Sequence, residues 1–280
     1  MSWPVLAASP LRAVVFYELL GLTRARAHQS WSQACAWIRS HGATDDCRPG
    51  LSPHAPYSVR AALFRAAANL SSQQKIPLAI HLAETPDELD LLRLHSGRFV
   101  DFLSRLGAWE PQGLAGSPEA VVHLAEKADR VLFAHCNYQT PAMTLTPKST
   151  IVYCPRTHAA FGHTRYPLDA FIAAGNRVAL GTDSLASNPD LSMLAEARDV
   201  RRQYPDMAGA DILRMATLAG AEALGWEGVT GSLAEGKSAD LVVIPLSAEN
   251  TADPHEAVLD GPQPVQAVMC KGRWVFQAPC

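Results

Sequence analysis

The fold is decided by the stretch IPLAIHLAE, residues 76–84, an apolar run that ends in His81 and Glu84. A short apolar run of this kind is typical of a buried β-strand. The letters TPDE at 85–88 then supply a capping residue, a proline at the first helical position and an acid three residues after the cap. Together they predict a helix start. A strand that leads directly into a helix is the repeating unit of a parallel α/β sheet.

The same alternation continues on both sides of this stretch. Further strands are predicted at the apolar runs 12–17, 131–134, 151–153 and 177–180. Helices are predicted where apolar residues recur at helical spacing, at 25–40, 59–70 with Ser58 as its cap, 117–129, 167–174, 191–204 and 208–224. Residues 48–52 are interpreted as the approach to a loop. An α/β domain therefore covers residues 1–226.

The segment after residue 226 has a different pattern. Strands are predicted at 240–244 and 265–269, with no helical period between them. We therefore predict a small β domain over residues 227–280.

The composition fits a globular protein with a small-molecule partner. Of the 280 residues, 48% are hydrophobic and 18% charged, and a net charge of -3 offers no basic surface for nucleic acid or anionic membrane. No apolar run is long enough to span a bilayer, and prolines interrupt the N-terminal apolar run, which makes it a poor signal peptide. The cysteines form no C-x-x-C pair, which fits a reducing compartment. We expect a cytoplasmic protein that binds neither nucleic acid nor membrane.

Side chains that can bind a metal or move a proton follow several of the predicted strands. They are His81 with Glu84, His135 and Asp183, each close behind an apolar run. Parallel barrels build their active sites at the C-terminal ends of the strands. We therefore predict that these side chains meet in one active site.

The residue types in this set fit hydrolysis. Imidazole and carboxylate ligands together bind a zinc-like ion, which lowers the pKa of a bound water to about 7. Glu84 lies three residues beyond His81, close enough to move protons without binding the metal itself. His135 is expected either to orient the hydroxide or to polarise the substrate.

The letters HLAE occur a second time, at 123–126, within the predicted helix 117–129. We interpret this copy as a surface histidine with an acid three residues later on the same helix. It is predicted to have no part in the active site.

Several motifs stand in an order that resembles a known family. They are SPHAPY at 52–57, HLAET at 81–85, FAHCN at 133–137 and GTDS at 181–184. The set is similar to the motifs of the aminohydrolases of the amidohydrolase superfamily, a group that includes adenosylhomocysteine, methylthioadenosine, aminodeoxyfutalosine and guanine deaminases and triazine hydrolases. The letters GSLAEGKSADL at 231–241 resemble the segment with which the family's chain re-enters its β-sandwich domain.

The resemblance implies a role for each matching residue. The matches of His81 and Asp183 are metal ligands, and Asp183 is counted among the catalytic residues as well. The match of Glu84 shuttles protons and that of His135 assists the hydroxide. The match of His54 contacts the substrate. The resemblance also implies one divalent metal ion, zinc with iron or manganese as alternatives, and a homodimer.

The chain departs from the family pattern in one respect. The family's first strand carries a His-x-His pair that supplies further metal ligands, and this sequence has no such pair. The resemblance therefore implies an α/β fold in which a (β/α)8 TIM-type barrel lacks its first one or two β/α units and is followed by the C-terminal part of a small β-sandwich. A truncated gene model and a genuinely degenerate homologue are both left open.

The segment 154–163 follows a predicted strand and is expected to form a loop at the same face of the barrel. Arg156, His158 and His163 in this segment are candidate ligands for a polar or anionic group of the substrate, with a purely structural loop as the alternative. Thr157 and His158 stand where many relatives have Ser-Asn. In this respect the chain is most similar to aminodeoxyfutalosine deaminases.

The predicted function is hydrolytic deamination of an amino-substituted heterocycle such as an adenine nucleoside derivative, aminodeoxyfutalosine among them. Two alternatives stay open. One is hydrolysis of another ring C–N or C–Cl bond by the same site, and the other is a catalytically inactive fragment without the His-x-His ligands.

Overall fold

The computed structural model describes residues 2–143, 145–246 and 253–279. The chain divides into two compact units. The first unit comprises Met1–Val152 and Arg165–Arg177, and the second comprises Tyr153–Thr164 and Val178–Cys280.

The helices and strands alternate along most of the chain. The strands are β1 Ala13–Leu19, β2 Cys47–Pro53, β3 Leu78–Leu82, β4 Val131–His135, β5 Ser149–Tyr153, β6 Val178–Leu180, β7 Leu241–Val243, β8 Ala267–Cys270 and β9 Arg273–Gln277. The α-helices are α1 Trp3–Ala7, α2 Arg24–Ser40, α3 Ala61–Gln74, α4 Pro86–Leu94, α5 Arg98–Arg105, α6 Pro118–Ala125, α7 Pro155–Ala160, α8 Leu168–Ala173, α9 Met193–Gln203, α10 Gly209–Met215, α11 Leu218–Leu224 and α12 Pro254–Asp260.

The first unit is built on a parallel sheet whose strands follow chain order from β1 to β5. Its core consists of apolar strand side chains with at most 1% of their surface exposed, among them Leu51, Leu78, Ile80, Phe133 and Ile151. Because all these strands point the same way, their C-terminal ends share one edge of the sheet. That edge carries the residues described below.

The second unit contains two pieces of sheet. Directly after β6, the amide of Gly181 donates to the carbonyl of Tyr153, the last residue of β5, at 2.9 Å. Strands β7, β8 and β9 form a separate antiparallel sheet in that order.

Parallel strands in chain order with helices between them confirm the α/β class and agree with a TIM-type barrel. The absence of one or two units from that barrel, the β-sandwich assignment and the domain limits of 1–226 and 227–280 remain predictions. Within the described residues, no helix combines the length and the apolar character needed to cross a membrane.

Two predictions about the segment between β1 and β3 are wrong. Residues 48–52 belong to β2, where Gly50 permits close packing because a Cβ there would lie 2.6 Å from Cδ1 of Phe16. Ser58 does not cap the next helix, which begins at Ala61. Its hydroxyl instead donates to the carbonyl of Ala55 at 3.2 Å.

The predicted loop at 154–163 is partly helical, since α7 occupies its first half. Pro155 stands at the first helical position, where its missing N–H costs no hydrogen bond. The next amide, that of Arg156, donates to the carboxylate of Glu196 at 3.0 Å. A carboxylate at a helix N-terminus stabilises the first turn, and this partner is distant in sequence.

The helix predicted at 208–224 is broken in two, as α10 and α11. At the break, the hydroxyl of Thr217 donates to the carbonyl of Leu213 at 2.6 Å, a local bond that competes with continued helix. Helix α12 lies between β7 and β8, where no helix was predicted, and Asp253 accepts from the amide of His255 at 2.7 Å to cap it.

Candidate active site

A row of imidazole rings lies at the C-terminal edge of the sheet in the first unit. His54 directly follows β2, His81 is the penultimate residue of β3 and His135 is the last residue of β4. The ring centroids of His54 and His81 are 5.0 Å apart, and those of His81 and His135 are 5.4 Å apart. The structure thus brings together His81 and His135, which the sequence placed behind predicted strands, and His54, which the family resemblance singled out.

Glu84 lies beside the end of this row. Its Oε1 is 3.7 Å from Nε2 of His135, and the side chains are 20% and 4% exposed. This distance is longer than an ordinary hydrogen bond. It is short enough for the two groups to form an ion pair when the imidazole carries a proton.

The imidazole of His81 is oriented by a backbone carbonyl. Its Nδ1 lies 2.9 Å from the carbonyl oxygen of His54. A carbonyl only accepts, so Nδ1 carries the hydrogen of this bond, and in the neutral ring Nε2 then holds the lone pair. Histidines that bind metals usually donate their other ring N–H to such a partner. His81 therefore has the orientation of a metal ligand.

His54 is held by Ser58, whose Oγ is 2.7 Å from Nδ1 of the imidazole. Burial, together with the neighbouring His81, lowers the pKa of His54, while the carboxylates of Glu18 and Glu84 act in the opposite direction. The lowered pKa favours a neutral imidazole, which can donate to or accept from a substrate.

The turn that follows β4 has an unusual backbone. His135 and Cys136 have φ angles of 69° and 55°, in the left-handed region that residues other than glycine seldom adopt. The hydroxyl of Tyr166 donates to the carbonyl of His135 at 2.9 Å, and the amide of Cys136 donates to the carbonyl of Leu82 at 2.8 Å. These bonds fix the turn and with it the direction of the His135 ring.

Asp183 belongs to the second unit, in the loop after β6. It too has left-handed backbone, with φ of 58°. Its Oδ2 accepts from the hydroxyl of Ser187 at 3.1 Å, and that hydroxyl lies 3.0 Å from Oγ1 of Thr157. The carboxylate is thus held by hydroxyl groups within its own unit.

Arg156, also in the second unit, is engaged by two carboxylates. Its Nε donates to Glu196 at 2.7 Å and its Nη2 donates to Asp190. Asp190 and then Glu196 raise the pKa of the guanidinium. Asn188 connects this pair to the loop of Asp183, because its Nδ2 donates to Glu196 at 2.6 Å and to the carbonyl of Thr182 at 2.7 Å.

His158 and His163 lie together in the second unit, with ring centroids 5.2 Å apart. His158 is only 6% exposed, and its ring meets that of Tyr153 edge to face at 5.8 Å. The substrate-binding roles of Arg156, His158 and His163 remain predictions.

The residues that support the site were not recognised in the sequence. Tyr166, Asn137 and Glu196 bond to residues far away along the chain, and no local pattern marks them. Glu88 was recognised only as an acid near a helix start. The second HLAE copy is a surface pair as predicted, with 78% of the His123 side chain exposed and its Nδ1 3.1 Å from Oε1 of Glu126.

The described residues do not by themselves fit a complete metal centre. Among residues 2–143, 145–246 and 253–279, no three histidine, cysteine, aspartate or glutamate side chains are grouped so that they could hold one ion. The hydrogen bond of His81 fits a metal ligand, but a catalytic zinc takes three protein ligands.

Comparison with known proteins identifies the family. The model of the Amidohydrolase family matches residues 26–275. The chain is 31% identical over 261 residues to the 5-methylthioadenosine/S-adenosylhomocysteine deaminase of Moorella thermoacetica, covering 88% of this chain and 56% of that protein. It is 29% identical over 237 residues to the aminodeoxyfutalosine deaminase of Deinococcus radiodurans, covering 79% of this chain and 56% of that protein. This chain belongs to the amidohydrolase family.

Solved structures share the fold. The aminofutalosine deaminase of Helicobacter pylori in complex with methylthio-coformycin superposes with a TM-score of 0.83 at 23% identity, over 99% of this chain and 69% of that one. An adenosine deaminase from Xanthomonas campestris with bound zinc superposes with a TM-score of 0.76 at 24% identity, over 97% of this chain and 62% of that one. The chain spans about half the length of the curated relatives it matches.

Proposed function

We propose that this chain is a hydrolase that deaminates an amino-substituted heterocycle, such as an adenine nucleoside derivative. The observation that carries the proposal is the pairing of Glu84 with His135, 3.7 Å apart, beside the oriented imidazole of His81. The relatives from Moorella and Deinococcus are both deaminases by name. Aminodeoxyfutalosine is accordingly one candidate substrate.

In the proposed reaction, water adds to the ring carbon that bears the amino group, and ammonia leaves. Glu84 accepts a proton from the water and delivers it to the adjacent ring nitrogen. It then transfers the proton of the added hydroxyl to the amino group, which leaves as ammonia while the carbonyl forms. His135 holds the attacking oxygen through its imidazole, and His54 contacts the heterocycle. One molecule of water is consumed for each ammonia released.

A divalent metal ion, zinc before iron or manganese, is part of this proposal. Such an ion supplies a nucleophilic water at neutral pH when it is bound. His81 and Asp183 are the proposed ligands in this chain, with the remaining ligands unassigned. A cytoplasmic location and a homodimer are likewise inferences from sequence.

The second candidate is hydrolysis of another ring bond. The chlorohydrolase TrzN of Arthrobacter aurescens shares the fold at a TM-score of 0.74 and 19% identity. Attack on a ring carbon that carries chloride needs the same proton transfer and differs in the leaving group. The third possibility is a fragment without activity.

One assay separates these candidates. The purified chain, supplied with Zn²⁺, is incubated with adenosine, 5′-methylthioadenosine, S-adenosylhomocysteine, aminodeoxyfutalosine and atrazine, and ammonia and chloride are measured. Ammonia from a nucleoside that disappears in Glu84→Gln but persists in Glu126→Gln supports deamination. Chloride alone supports the second candidate. If none of these compounds gives ammonia or chloride, the proposed function of this chain is wrong.

A further inference from the structure

At the start of α4, one of the two hydrogen bonds of a capping box is made to different amides from the usual one. Thr85 caps the helix in the usual way, since its Oγ1 accepts from the amide of Glu88 at 3.3 Å. In an ordinary capping box, the glutamate at this position accepts from the amide of the capping residue itself. Here Glu88 accepts instead from the two amides that precede Thr85, those of Ala83 at 2.8 Å and Glu84 at 3.1 Å.

The side chain of Glu88 is completely buried. Burying a carboxyl group is costly unless both oxygens find partners, and here each oxygen takes one amide. A helix cap alone gives no reason for this burial, because an exposed glutamate serves the same purpose at most helix starts. The two amides it binds belong to the turn that presents Glu84.

That turn is strained and is held from both sides. Ala83 has φ of 49°, a left-handed conformation that costs a non-glycine residue about 1 kcal/mol or more. On the side of β4, the amide of Tyr138 donates to the carbonyl of Ala83 at 3.0 Å, and Nδ2 of Asn137 donates to the carbonyl of Glu84 at 3.1 Å. On the side of α4, Glu88 accepts from the amides of Ala83 and Glu84.

We propose that Glu88 is a positioning residue that keeps the carboxylate of Glu84 beside His135 by binding the amides of Ala83 and Glu84. The inference rests on the proposed function insofar as Glu84 transfers protons there. Glu88 acts through the backbone, and it orients the group that reacts. Each oxygen of Glu88 accepts one amide, which a carboxyl oxygen can do with or without a proton, whereas the side-chain nitrogen of a glutamine cannot accept.

The decisive variant is therefore Glu88→Gln in the full chain. One amide then faces a donor, so the turn relaxes and Glu84 moves away from His135. We expect kcat for deamination to fall about 10²-fold, as for a displaced catalytic group, with KM changed less than about 3-fold. Thr85→Ala is the matched control, because it weakens the same helix start and leaves the carboxyl of Glu88 in place.

Nuclear magnetic resonance supplies a readout that does not depend on activity. Hydrogen exchange of the Ala83 and Glu84 amides should accelerate at least 10-fold in Glu88→Gln and stay unchanged in Thr85→Ala. The ¹⁵N shifts of the His135 imidazole should move in Glu84→Gln and in Glu88→Gln, and stay unchanged in Glu126→Gln. Glu88→Asp, which keeps the carboxyl group but shortens the reach, gives the same readouts if the glutamine variant does not fold.

Unchanged amide exchange, or unchanged His135 shifts, in the Glu88 variants would overturn the positioning role. So would a normal kcat in Glu88→Gln, provided that the wild-type chain deaminates. If the wild-type chain has no activity while exchange and imidazole shifts respond as described, the proposed function fails and the positioning of Glu84 by Glu88 stands.

Discussion

The guanidinium of Arg156 lies against Glu196, with 2.7 Å between Nε and Oε1, and the Glu196 side chain has no exposed surface. Arg156 was predicted to bind a polar group of the substrate. The ion pair also gives Arg156 a structural role. Glu196 accepts from Asn188 as well, and Asn188 donates to the carbonyl of Thr182. The pair thus stabilises the loop that carries Asp183.

Arg156→Ala should destabilise the second unit strongly. It leaves Glu196 as a buried carboxylate without its cation, and breaking such a pair costs about 3–5 kcal/mol. The measurement is the free energy of unfolding in urea. Arg165→Ala is the control, because its pair with Asp169 is 69% and 68% exposed, and such pairs contribute less than about 1 kcal/mol. Equal effects of the two variants would contradict this account of Arg156.

Under the proposed function, Glu84→Gln should lower the rate of deamination by about 10²- to 10⁴-fold, the usual contribution of a general acid–base group. The variant keeps the size and hydrogen bonding of the side chain and removes proton transfer. Steady-state ammonia release gives the rate. Glu126→Gln, the same change in the exposed HLAE copy, should keep full activity, and equal losses in both variants would rule out a specific role for Glu84.

The stability of the first unit should depend on pH through Glu88. Burial raises the pKa of Glu88 to about 8, despite the lowering effect of its two amide partners. Between its ordinary pKa and about 8, the native state keeps a proton that the unfolded chain has released. The free energy of unfolding therefore falls as pH rises in this window, by up to about 1.4 kcal/mol per pH unit.

Urea unfolding at several pH values between 5 and 9 measures this slope for the wild type and for Glu88→Gln. The glutamine variant does not titrate, so the difference in stability between the two proteins should change across the window and level off above about pH 8. A difference that is independent of pH would show that Glu88 keeps its ordinary pKa.

Metal binding by the chain should be weak. The described residues bring no three ligands together, and a tightly held zinc needs three or four. After dialysis, elemental analysis should find less than one zinc per chain, and His81→Ala should remove what remains while His123→Ala does not. Zinc retained at one per chain would show that ligands not recognised here complete the site.

Much of the architecture could be predicted because it depends on local patterns. The strands that carry His81 and His135 near their C-terminal ends are apolar runs, and Thr85 caps its helix as expected. The wrong predictions of a loop around Arg156 and of an unbroken helix through Thr217 have a different origin. There a bond to Glu196, distant in sequence, starts a helix, and a hydroxyl bond to Leu213 interrupts one.

The site was predicted in part for the same reason. His81 and His135 come together because neighbouring parallel strands end at one edge, which a reader of the sequence can infer, whereas the strand before His54 was not predicted. The supporting bonds of Glu88, Asn137 and Tyr166 depend on the backbone of strained turns. No periodicity in the sequence reports a positive φ at an alanine or a histidine.

The two HLAE copies show how far a motif can be separated from its chemistry. In the second copy the alanine, Ala125, is the last residue of α6 and has right-handed backbone, whereas Ala83 in the first copy turns left-handed. The same four residues therefore occur in both places, but the left-handed turn between histidine and acid occurs only in the first copy. A protein engineer who grafts HLAE onto a new scaffold obtains a solvated helical pair, unless the scaffold also supplies the left-handed alanine and a buried acid to hold it.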